Sequence, residues 1–264
     1  MKSTCDGYLG DLFGLGGKTA VVTGASAGIG EGIAHALAKA GARVVVAARN
    51  TEAANAVVDA IISEGGDALA LSVEIADEAS IVQMMQRASE ALGHIDILVN
   101  NAGVFPPGEI LRCTGEDWDN IYRVNVRGTF LCLREAVSHM RKQGGGGRII
   151  NISSNASIRS SVPDRAAYNS SKAAVNRLTQ DAALEFAADG ILVNAVLPGP
   201  IATDKLQSLG EEGVKLYDAV AKRVPLHKWG TPLDIAAAVI YLSSTAGAFI
   251  TGQTLVIDGG AVIA

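Results

Sequence analysis

The stretch KTAVVTGASAGIG, residues 18–30, decides the fold of this chain. Its first six residues form a short run rich in valine and threonine, which predicts a buried strand. Three glycines follow and the pattern then turns helical, so the stretch predicts a strand, a tight turn and a helix. Glycine lets the backbone approach an anion closely, and the N–H groups and positive dipole end of a helix favour phosphate. The predicted phosphate-binding residues are Gly24, Ser26, Ala27, Gly28, Ile29 and Gly30.

The rest of the chain repeats this alternation of short apolar runs and longer, alanine-rich amphipathic segments. The pattern is typical of parallel strands joined by right-handed helical crossovers, with helices on both faces of the sheet. The predicted strands cover residues 18–23, 43–48, 68–73, 95–100, 148–153, 191–197 and 254–257. The predicted helices cover residues 28–40, 52–64, 78–92, 116–142, 165–188 and 232–244. The fold class is therefore α/β, a doubly wound parallel sheet of seven strands.

No change in composition divides the 264 residues, so we expect a single domain over residues 1–264, with residues 1–13 as an N-terminal extension. The glycines of residues 144–147 lie between a helix and a strand, which predicts a turn rather than a linker. Residues 201–228 interrupt the alternation and are long for a connection. Long loops beside a strand end often select substrate, so we expect a substrate loop there.

Charge and hydropathy narrow the class of partner. The net charge of −5 gives no basic field for nucleic acid. The longest apolar runs are strand-sized and fall far short of the roughly 20 residues that cross a bilayer. The N-terminus carries acidic residues and no signal-peptide pattern. We therefore expect a cytoplasmic protein whose partner is a small molecule, neither a nucleic acid nor a membrane.

The cysteines and histidines indicate neither a disulfide framework nor a metal site. The three cysteines have no C-x-x-C spacing, and the four histidines have no metal-ligand spacing. These residues are Cys5, Cys113, Cys132, His35, His94, His139 and His227. We assign them no chemistry and expect no metal.

Five motifs occur in a fixed order along the chain. They are T-G-x-x-x-G-x-G at residues 23–30, N-N-A-G at 100–103, Y-x-x-x-K at 168–172, P-G-x-x-x-T at 198–203 and D-G-G at 258–260. Together they resemble the short-chain dehydrogenase/reductase family over about residues 14–260. The resemblance implies a single Rossmann-like domain, an NAD or NADP cofactor, and a homotetramer or homodimer.

Tyr168 and Lys172 are four residues apart on a predicted helix, so their side chains lie on one face and the ammonium can approach the phenol. A free tyrosine has a pKa of roughly 10, which is too high for a good general base near neutral pH. A nearby cation stabilises the phenolate and lowers that pKa. The pair therefore predicts proton transfer by Tyr168 assisted by Lys172, and both residues are also expected to hold the cofactor.

Ser154 resembles the catalytic serine of the family, whose hydroxyl orients the substrate oxygen. The serine usually lies thirteen residues before the tyrosine, whereas Ser154 lies fourteen before it, so Asn155 and Ser153 remain alternatives. We attribute the difference to one extra residue within 158–164. Asn125 resembles the fourth catalytic residue, which holds a water that connects the lysine to solvent.

The end of the second strand bears on the choice of cofactor. An acidic residue there would bind the ribose 2′-hydroxyl of NAD, whereas an arginine would attract the 2′-phosphate of NADP. Position 48 is alanine, and Arg49 and Asn50 follow, which favours NADP. Ala27 stands where many NADP-binding relatives have a basic residue, so NAD stays open. Glu74 stands where relatives usually carry an aspartate that contacts the adenine.

The remaining motifs complete the predicted cofactor site. The resemblance assigns the N-N-A-G motif to the adenosine-ribose side of the cofactor. It assigns the segment after the sixth strand to the nicotinamide carboxamide and the phosphates. The residues are Asn101, Ala102, Gly103, Pro198, Gly199, Ile201 and Thr203.

The predicted reaction is hydride transfer between the nicotinamide and a secondary alcohol or ketone. The cofactor carries the redox chemistry, and the protein supplies orientation and electrostatics. Within the family the chain is similar to 3-oxoacyl-carrier-protein reductases and to polyol or gluconate dehydrogenases, and the sequence does not separate these activities. A protein that senses the cofactor without turnover is the alternative outside enzymes, and the intact Ser, Tyr, Lys and Asn set weighs against it.

Overall fold

A parallel sheet of seven strands runs through the part of the chain that this computed structural model describes, residues 4–160, 163–204, 208 and 210–264. The strands are β1 (Thr19–Thr23), β2 (Arg43–Ala48), β3 (Asp67–Ser72), β4 (Ile97–Asn100), β5 (Gly147–Ile152), β6 (Ile191–Pro198) and β7 (Thr254–Ile257). Their order is β3-β2-β1-β4-β5-β6-β7, and every neighbouring pair is parallel. The predicted Rossmann-like sheet of one domain is confirmed.

Helices cover both faces of the sheet. They are α1 (Thr4–Phe13), α2 (Gly28–Lys39), α3 (Thr51–Ser63), α4 (Glu78–Leu92), α5 (Gly115–Tyr122), α6 (Thr129–Gln143), α7 (Ala166–Phe186), α8 (Glu211–Ala221) and α9 (Pro232–Ser243). Helices α2, α3 and α9 pack on one face, and helices α4, α6 and α7 pack on the other.

The side chains of the central strands point alternately to the two faces of the sheet and so form two apolar layers. Val22 and Val44 belong to the layer under α2, α3 and α9, whereas Val21 and Val45 belong to the layer on the opposite face. All four side chains are completely buried. Because successive side chains of a strand point to opposite faces, a continuous valine run fills both layers at once.

The chain order of the strands creates a crevice in the middle of the sheet. From β1 the chain moves outward through β2 to β3, then returns to place β4 on the other side of β1 and continues outward to β7. Crossover helices leave in opposite directions at this reversal, so the carboxyl ends of β1 and β4 stay uncovered. Ligands of open α/β sheets bind at such a point.

The predicted helix over residues 116–142 is wrong as a single helix. A π-helical segment, Arg123–Gly128, separates α5 from α6. Inside this segment the Asn125 carbonyl accepts a hydrogen bond of 2.8 Å from the Thr129 hydroxyl. A single π-helical turn adds a residue without ending the helical run, so the composition that predicts a helix continues through it.

Two helices were not predicted. Helix α1 lies in the expected N-terminal extension, where Phe13 contacts the ring of Tyr241 on α9 at a centroid distance of 6.4 Å. Helix α8 lies inside the expected substrate loop, and its Val214 and Leu216 are exposed. Residues 1–3 of the extension, and 205–207 and 209 of the loop, lie outside the described residues.

The expected turn at residues 144–147 closes α6. Gly144 caps the helix in the left-handed conformation, and Gly147 begins β5.

Within the described ranges, no group of histidine, cysteine, aspartate and glutamate side chains could hold a metal ion. No helix in the same ranges is both long enough and apolar enough to span a membrane. Burial raises the pKa of the Cys132 thiol to about 12, so this thiol is unreactive.

Gly128 ends the π-helical segment where it meets the loop after β3. A β-carbon at Gly128 would overlap the Ile75 side chain and lie 3.0 Å from the Ile75 carbonyl oxygen. Because Ile75 is itself buried, we expect Gly128→Ala to lower the free energy of unfolding by roughly 1–3 kcal/mol. Chemical denaturation measures this change.

Gly115 provides the matched control. It lies in the first turn of α5, and a β-carbon there has no atom within 4 Å among the described residues. Gly115→Ala should therefore leave stability unchanged or raise it slightly through helix propensity. Equal effects of the two substitutions would contradict the packing that we describe at Ile75.

Candidate active site

The turn after β1 and the strand end after β4 are locked together at the crevice. The Thr23 hydroxyl accepts hydrogen bonds from the backbone N–H groups of Asn101, at 3.1 Å, and Ala102, at 3.2 Å. In return, the Asn101 side-chain amide donates to the carbonyl oxygens of Thr23 and Gly24 at 2.9 and 3.0 Å. The first and second motifs therefore meet, as their placement at neighbouring strand ends predicts.

Glycine is required where these two segments cross. Gly24 has a φ of +64°, and a β-carbon on it would lie 2.8 Å from the Ala102 Cα. A β-carbon on Gly30 would collide with the Asn101 amide and the Gly24 carbonyl. The first glycine and the last glycine of the motif thus allow close backbone approach rather than only a sharp turn.

The start of α2 presents backbone N–H groups to the crevice. Its N-cap residue, Ala27, is extended and supplies no side-chain hydrogen bond to the described first turn. Gly28 follows with a φ of +62°, and a β-carbon there would lie 3.3 Å from the Thr203 methyl group. Thr203, predicted from a motif far along the chain, therefore lies beside the phosphate-binding turn. An uncapped helix start flanked by glycine and a hydroxyl suits a pyrophosphate.

A cavity of about 280 Å³ extends from this turn across the carboxyl ends of β1, β2, β3 and β4. Eight of the predicted cofactor residues line it: Gly24, Ser26, Arg49, Asn50, Glu74, Asn101, Ala102 and Gly103. Apolar side chains complete the wall: Ala48, Val73, Ile75, Val104 and Val124. A flat apolar lining beside polar strand ends fits an adenosine, so the residues present suit the expected dinucleotide.

Arg49 and Glu74 face each other at the outer end of this cavity. Arg49 Nη1 lies 3.7 Å from Glu74 Oε2, and the Arg49 side chain is 72% exposed. The other Glu74 oxygen accepts the Ala76 N–H at 3.1 Å, which holds the carboxylate in place. The Asn50 side chain accepts the Ala53 N–H at 3.1 Å and caps α3. The exposed Arg49 side chain is therefore free to change its conformation, whereas the Asn50 side chain is held at the start of α3.

Tyr168 lies in the first turn of α7, and its phenol lies close enough to the Ser154 side chain for the two to interact. Burial raises the pKa of Tyr168 above its ordinary value of 10, and the Ser154 side chain and the charge of Arg165 oppose this shift. The phenol is therefore neutral near pH 7. A neutral phenol is the form that donates a proton to an oxygen atom.

Lys172 is buried beneath Tyr168. Its ammonium donates to the Ile152 carbonyl at 2.8 Å and lies 6.0 Å from the centre of the Tyr168 ring. Burial lowers the pKa of Lys172 from 10.5 to about 8, so the group keeps its charge at neutral pH. Ser154 and Arg165 are the groups that lower the Tyr168 pKa here, so the expected effect of Lys172 on that pKa stays a prediction.

Asn125 is completely buried in the π-helical segment and clamps the loop after β4. Its side chain accepts the Val104 N–H at 2.8 Å and donates to the Val104 carbonyl at 2.9 Å. It also donates to the Ser171 hydroxyl at 3.0 Å. A β-carbon on Gly103 would lie 3.3 Å from Asn125 Oδ1 and 3.5 Å from Lys172 Nζ, so Gly103 passes between these two side chains.

The three candidates at the end of β5 have different partners. Ser153 is buried and donates its hydroxyl to the Lys172 carbonyl at 3.1 Å. The Asn155 amide donates to Asp258 at 3.2 Å. Ser154 is the candidate whose side chain meets Tyr168. The extra residue expected within 158–164 falls in a segment whose residues 161 and 162 lie outside the described residues.

The segment after β6 contacts β7, Gly230 and, through Thr203, the turn after β1. Pro198 ends the strand, and the Gly199 N–H donates to the Ile257 carbonyl at 2.9 Å. Ile201 is buried and forms a bridge with Gly230. Ile29 follows Gly28 in the first turn of α2.

A second cavity of about 350 Å³ reaches Tyr168 between the loop after β4 and the start of α7. Phe105 meets the Tyr168 ring edge-on at 6.2 Å, and its carbonyl accepts Arg165 Nη1 at 2.9 Å. Sequence reasoning missed Thr23, Phe105 and Arg165. Thr23 stands inside the glycine motif and could have been found, whereas the other two belong to no motif.

Known proteins resemble this chain over nearly its full length. The sequence profile of the family described as enoyl-(acyl carrier protein) reductase matches residues 24–262. A versicolorin reductase of Emericella nidulans is 39% identical over 261 residues, which cover 95% of this chain and 98% of that protein. A 3-oxoacyl-[acyl-carrier-protein] reductase of Synechocystis is 40% identical over 251 residues, covering 94% and 98%.

Solved structures agree with the sequence relatives. A short-chain type dehydrogenase/reductase of Mycobacterium marinum superposes with a TM-score of 0.89 at 38% identity, covering 95% of this chain and 98% of that one. A 7α-hydroxysteroid dehydrogenase complexed with NADH and 7-oxo glycochenodeoxycholic acid gives 0.89 at 38% identity, covering 95% and 96%. A gluconate 5-dehydrogenase of Burkholderia cenocepacia in complex with NADP and tartrate gives 0.89 at 35% identity, covering 97% and 99%.

The buried Lys172 makes stability depend on pH. The unfolded chain holds this proton up to about pH 10.5, but the folded chain holds it only up to about pH 8. The unfolded state binds more protons between these values, so the free energy of unfolding rises with pH across this window. Relative to Lys172→Met, the wild-type free energy of unfolding should rise by roughly 3 kcal/mol, measured by denaturant titration. Parallel pH profiles for the two proteins would rule out the lowered pKa.

Proposed function

The chain belongs to the short-chain dehydrogenase/reductase family and is an NAD(P)-dependent oxidoreductase, and we propose that it reduces a ketone with Tyr168 as the proton donor. The meeting of the Ser154 and Tyr168 side chains above the buried Lys172 ammonium carries this proposal, because it brings a neutral phenol and a second hydroxyl together beside a cation. A carbonyl oxygen placed between these hydroxyls would accept from both. A bound nicotinamide supplies the hydride.

Each residue of the proposed set has one task. Tyr168 donates its proton to the substrate oxygen, and Ser154 holds that oxygen and stabilises the charge that develops on it. Lys172 keeps a positive charge close to the phenol and favours the tyrosinate left after proton transfer. Asn125 fixes Gly103 and Val104 beside Lys172. We propose that the tyrosinate regains its proton through a water relay at Asn125 and Lys172.

We propose NADP as the preferred cofactor, with NAD also accepted. Arg49 is exposed at the ribose end of the cavity. Its planar guanidinium can donate two hydrogen bonds to a 2′-phosphate, whereas a lysine ammonium would bind the phosphate less specifically. Ala48 places no carboxylate against that phosphate. Glu74 is the feature that would admit NAD, because its carboxylate can accept a ribose hydroxyl. The structural relatives include one complex with NADH and one with NADP.

The proposed substrate is a ketone whose bulk lies between the loop after β4 and residues 201–228. Tyr217 of α8 stacks on Trp229 at 5.8 Å, and Trp229 Nε1 donates to the Tyr217 carbonyl at 3.1 Å. These contacts join α8 to the residue that follows the proposed substrate loop. A 3-oxoacyl thioester matches the substrate named for one sequence relative, and a polycyclic ketone matches the 7-oxo glycochenodeoxycholic acid in the complex of one structural relative. A keto-sugar acid is the further candidate.

We propose a homo-oligomer, a tetramer or a dimer, in which helices α5 to α7 contact a second copy. Trp118 and Phe130 are exposed on this surface, and Trp118 stacks on Tyr122 at 4.9 Å. Exposed aromatic side chains of this kind are enriched at interfaces between proteins. A cytoplasmic location remains a prediction from the sequence.

Replacing the phenol tests the proton donor. Tyr168→Phe keeps the ring against Phe105 but removes the hydroxyl, so kcat should fall roughly a hundred- to ten-thousandfold while the Kd of NADPH stays near the wild-type value. Oxidation of NADPH is followed by absorbance against a panel of 3-oxoacyl thioesters, polycyclic ketones and keto-sugar acids. Tyr241→Phe, on α9 against Phe13, is the control and should retain full activity. Full activity of Tyr168→Phe would overturn the mechanism, and tight NADPH binding without turnover of any ketone would favour a cofactor sensor.

Replacing Arg49 tests the cofactor preference. Arg49→Ala removes a charged hydrogen-bond donor from the 2′-phosphate, so the Kd of NADPH should rise roughly tenfold and that of NADH should change by less than about twofold. Fluorescence titration of each nucleotide measures both constants. Arg177→Ala, an equally exposed arginine on α7, should leave both unchanged. Tighter binding of NADH than NADPH by the wild type would show that Glu74 governs the choice.

A further inference from the structure

The Asp258 carboxylate collects three N–H donors from two distant parts of the chain. Its Oδ1 accepts the Gly260 N–H at 2.9 Å, and its Oδ2 accepts the Val262 N–H, also at 2.9 Å. The third donor is the Asn155 side-chain amide, at 3.2 Å from Oδ2. Asp258 follows directly after β7, and Asn155 lies 103 residues earlier, beside Ser154. The proposed reaction uses neither Asn155 nor Asp258.

Asn155 begins the short turn that presents Ser154. Residues Asn155–Ser157 form a single 3₁₀ turn, and the Ser154 hydroxyl accepts the Ala156 N–H at 3.1 Å while also meeting Tyr168. The position of Ser154 is therefore fixed by the orientation of this turn. A turn of three residues cannot hold its own orientation without outside contacts.

Two outside contacts hold opposite ends of the turn. On the side of α7, the Asn176 amide donates to the Ser157 hydroxyl at 2.8 Å. On the other side the turn depends on the C-terminal segment, through Asn155 and Asp258. Arg159 adds to this second contact, because its Nη1 donates to the carbonyl oxygens of Ala261 and Val262 at 3.2 and 2.9 Å.

The same C-terminal segment also contacts the end of the proposed substrate loop. Gly259 has a φ of +64°, and a β-carbon on it would lie 2.7 Å from Val224. Its carbonyl accepts the Leu226 N–H at 3.2 Å. Gly260 packs in the same way, with a β-carbon position 3.0 Å from the Pro225 ring. The D-G-G motif therefore lies between the turn of Ser154 and the segment that would bind substrate.

We propose that Asp258 is a positioning residue, which through Asn155 sets the turn from which Ser154 reaches Tyr168. The inference rests on the proposed ketone reduction and adds a role for a motif that the reaction did not otherwise use. The same segment contacts residues 224–226 of the proposed substrate loop through Gly259 and Gly260.

The three donors explain why position 258 carries a carboxylate. A carboxylate accepts at both oxygens, whereas an amide accepts at one oxygen and donates at its nitrogen. In Asp258→Asn, the new NH₂ group would face either the Gly260 N–H or the pair of donors from Asn155 and Val262. The substitution keeps the shape of the side chain and leaves at least one donor unsatisfied.

A double-mutant cycle tests whether Asn155 acts through Ser154. We expect Asn155→Ala to lower kcat roughly tenfold in the wild-type background, because a displacement of about 1 Å at a reacting group costs up to a hundredfold. In the Ser154→Ala background the same substitution should lower kcat by less than about twofold, since no serine remains to be positioned. Asp258→Asn should behave like Asn155→Ala in both backgrounds. The Kd of NADPH should stay within about twofold in every variant.

Asn194→Ala is the matched control for loss of a hydrogen-bonded asparagine. Asn194 is buried on β6 and bonds to Ile250 and Gln253 rather than to the turn. This variant should melt at a lower temperature than the wild type and keep its kcat, which separates loss of stability from loss of positioning.

Each outcome of the cycle has a distinct meaning. A fall in kcat of the same factor in both backgrounds, or no fall at all in Asn155→Ala, would overturn the positioning role while leaving the ketone reduction intact. If the single variants Ser154→Ala and Tyr168→Phe both kept full activity, that result would contradict the proposed function, and the inference with it. If Asn155→Ala fails to bind NADPH, Asp258→Asn takes its place in the cycle, because it keeps the volume of the side chain.

Discussion

Hydrogen bonding by Thr23 at the reversal of strand order is the interaction on which the rest of the site depends. One hydroxyl accepts two backbone N–H groups from the strand end after β4, and the Asn101 amide returns two hydrogen bonds to the turn after β1. This exchange brings two backbones into contact, which only glycine at position 24 permits. The crevice therefore has a fixed width before any ligand arrives, and a preorganised site of this kind costs little to fill.

Hydrogen bonds of buried polar groups also fix the residues between the predicted cofactor site and the proposed proton donor. Asn125 holds the loop after β4 with two hydrogen bonds to one residue, and Lys172 is held by the carbonyl that ends β5. A π-helical segment makes this possible, because it turns Asn125 inward while α6 keeps its apolar face on the sheet. Burial of an ammonium and a phenol opposes folding, and the site tolerates this cost because both groups have partners.

The carboxyl-terminal segment gives the site a second support that is independent of the cofactor turn. Asp258 and Arg159 connect the turn of Ser154 to residues that also contact the end of the substrate loop. The predicted cofactor turn and the turn of Ser154 are thus supported by separate parts of the sheet, one at β1 and β4 and the other at β5 and β7. Residues 201–228 contact both supports, because Thr203 lies against Gly28 of the turn after β1 and residues 224–226 contact Gly259 and Gly260.

The sequence by itself determined the seven strands, the glycine turn, the motif order and the family, because valine periodicity and glycine spacing are local properties of the chain. It could not locate the π-helical segment, α1 or α8, whose formation depends on contacts such as that of Phe13 with Tyr241. Spacing also left Ser153, Ser154 and Asn155 as alternatives. Only the tertiary structure separated them, since each side chain is directed to a different partner, Lys172, Tyr168 or Asp258. Those partners lie on other elements, and packing rather than sequence distance decides which atoms meet.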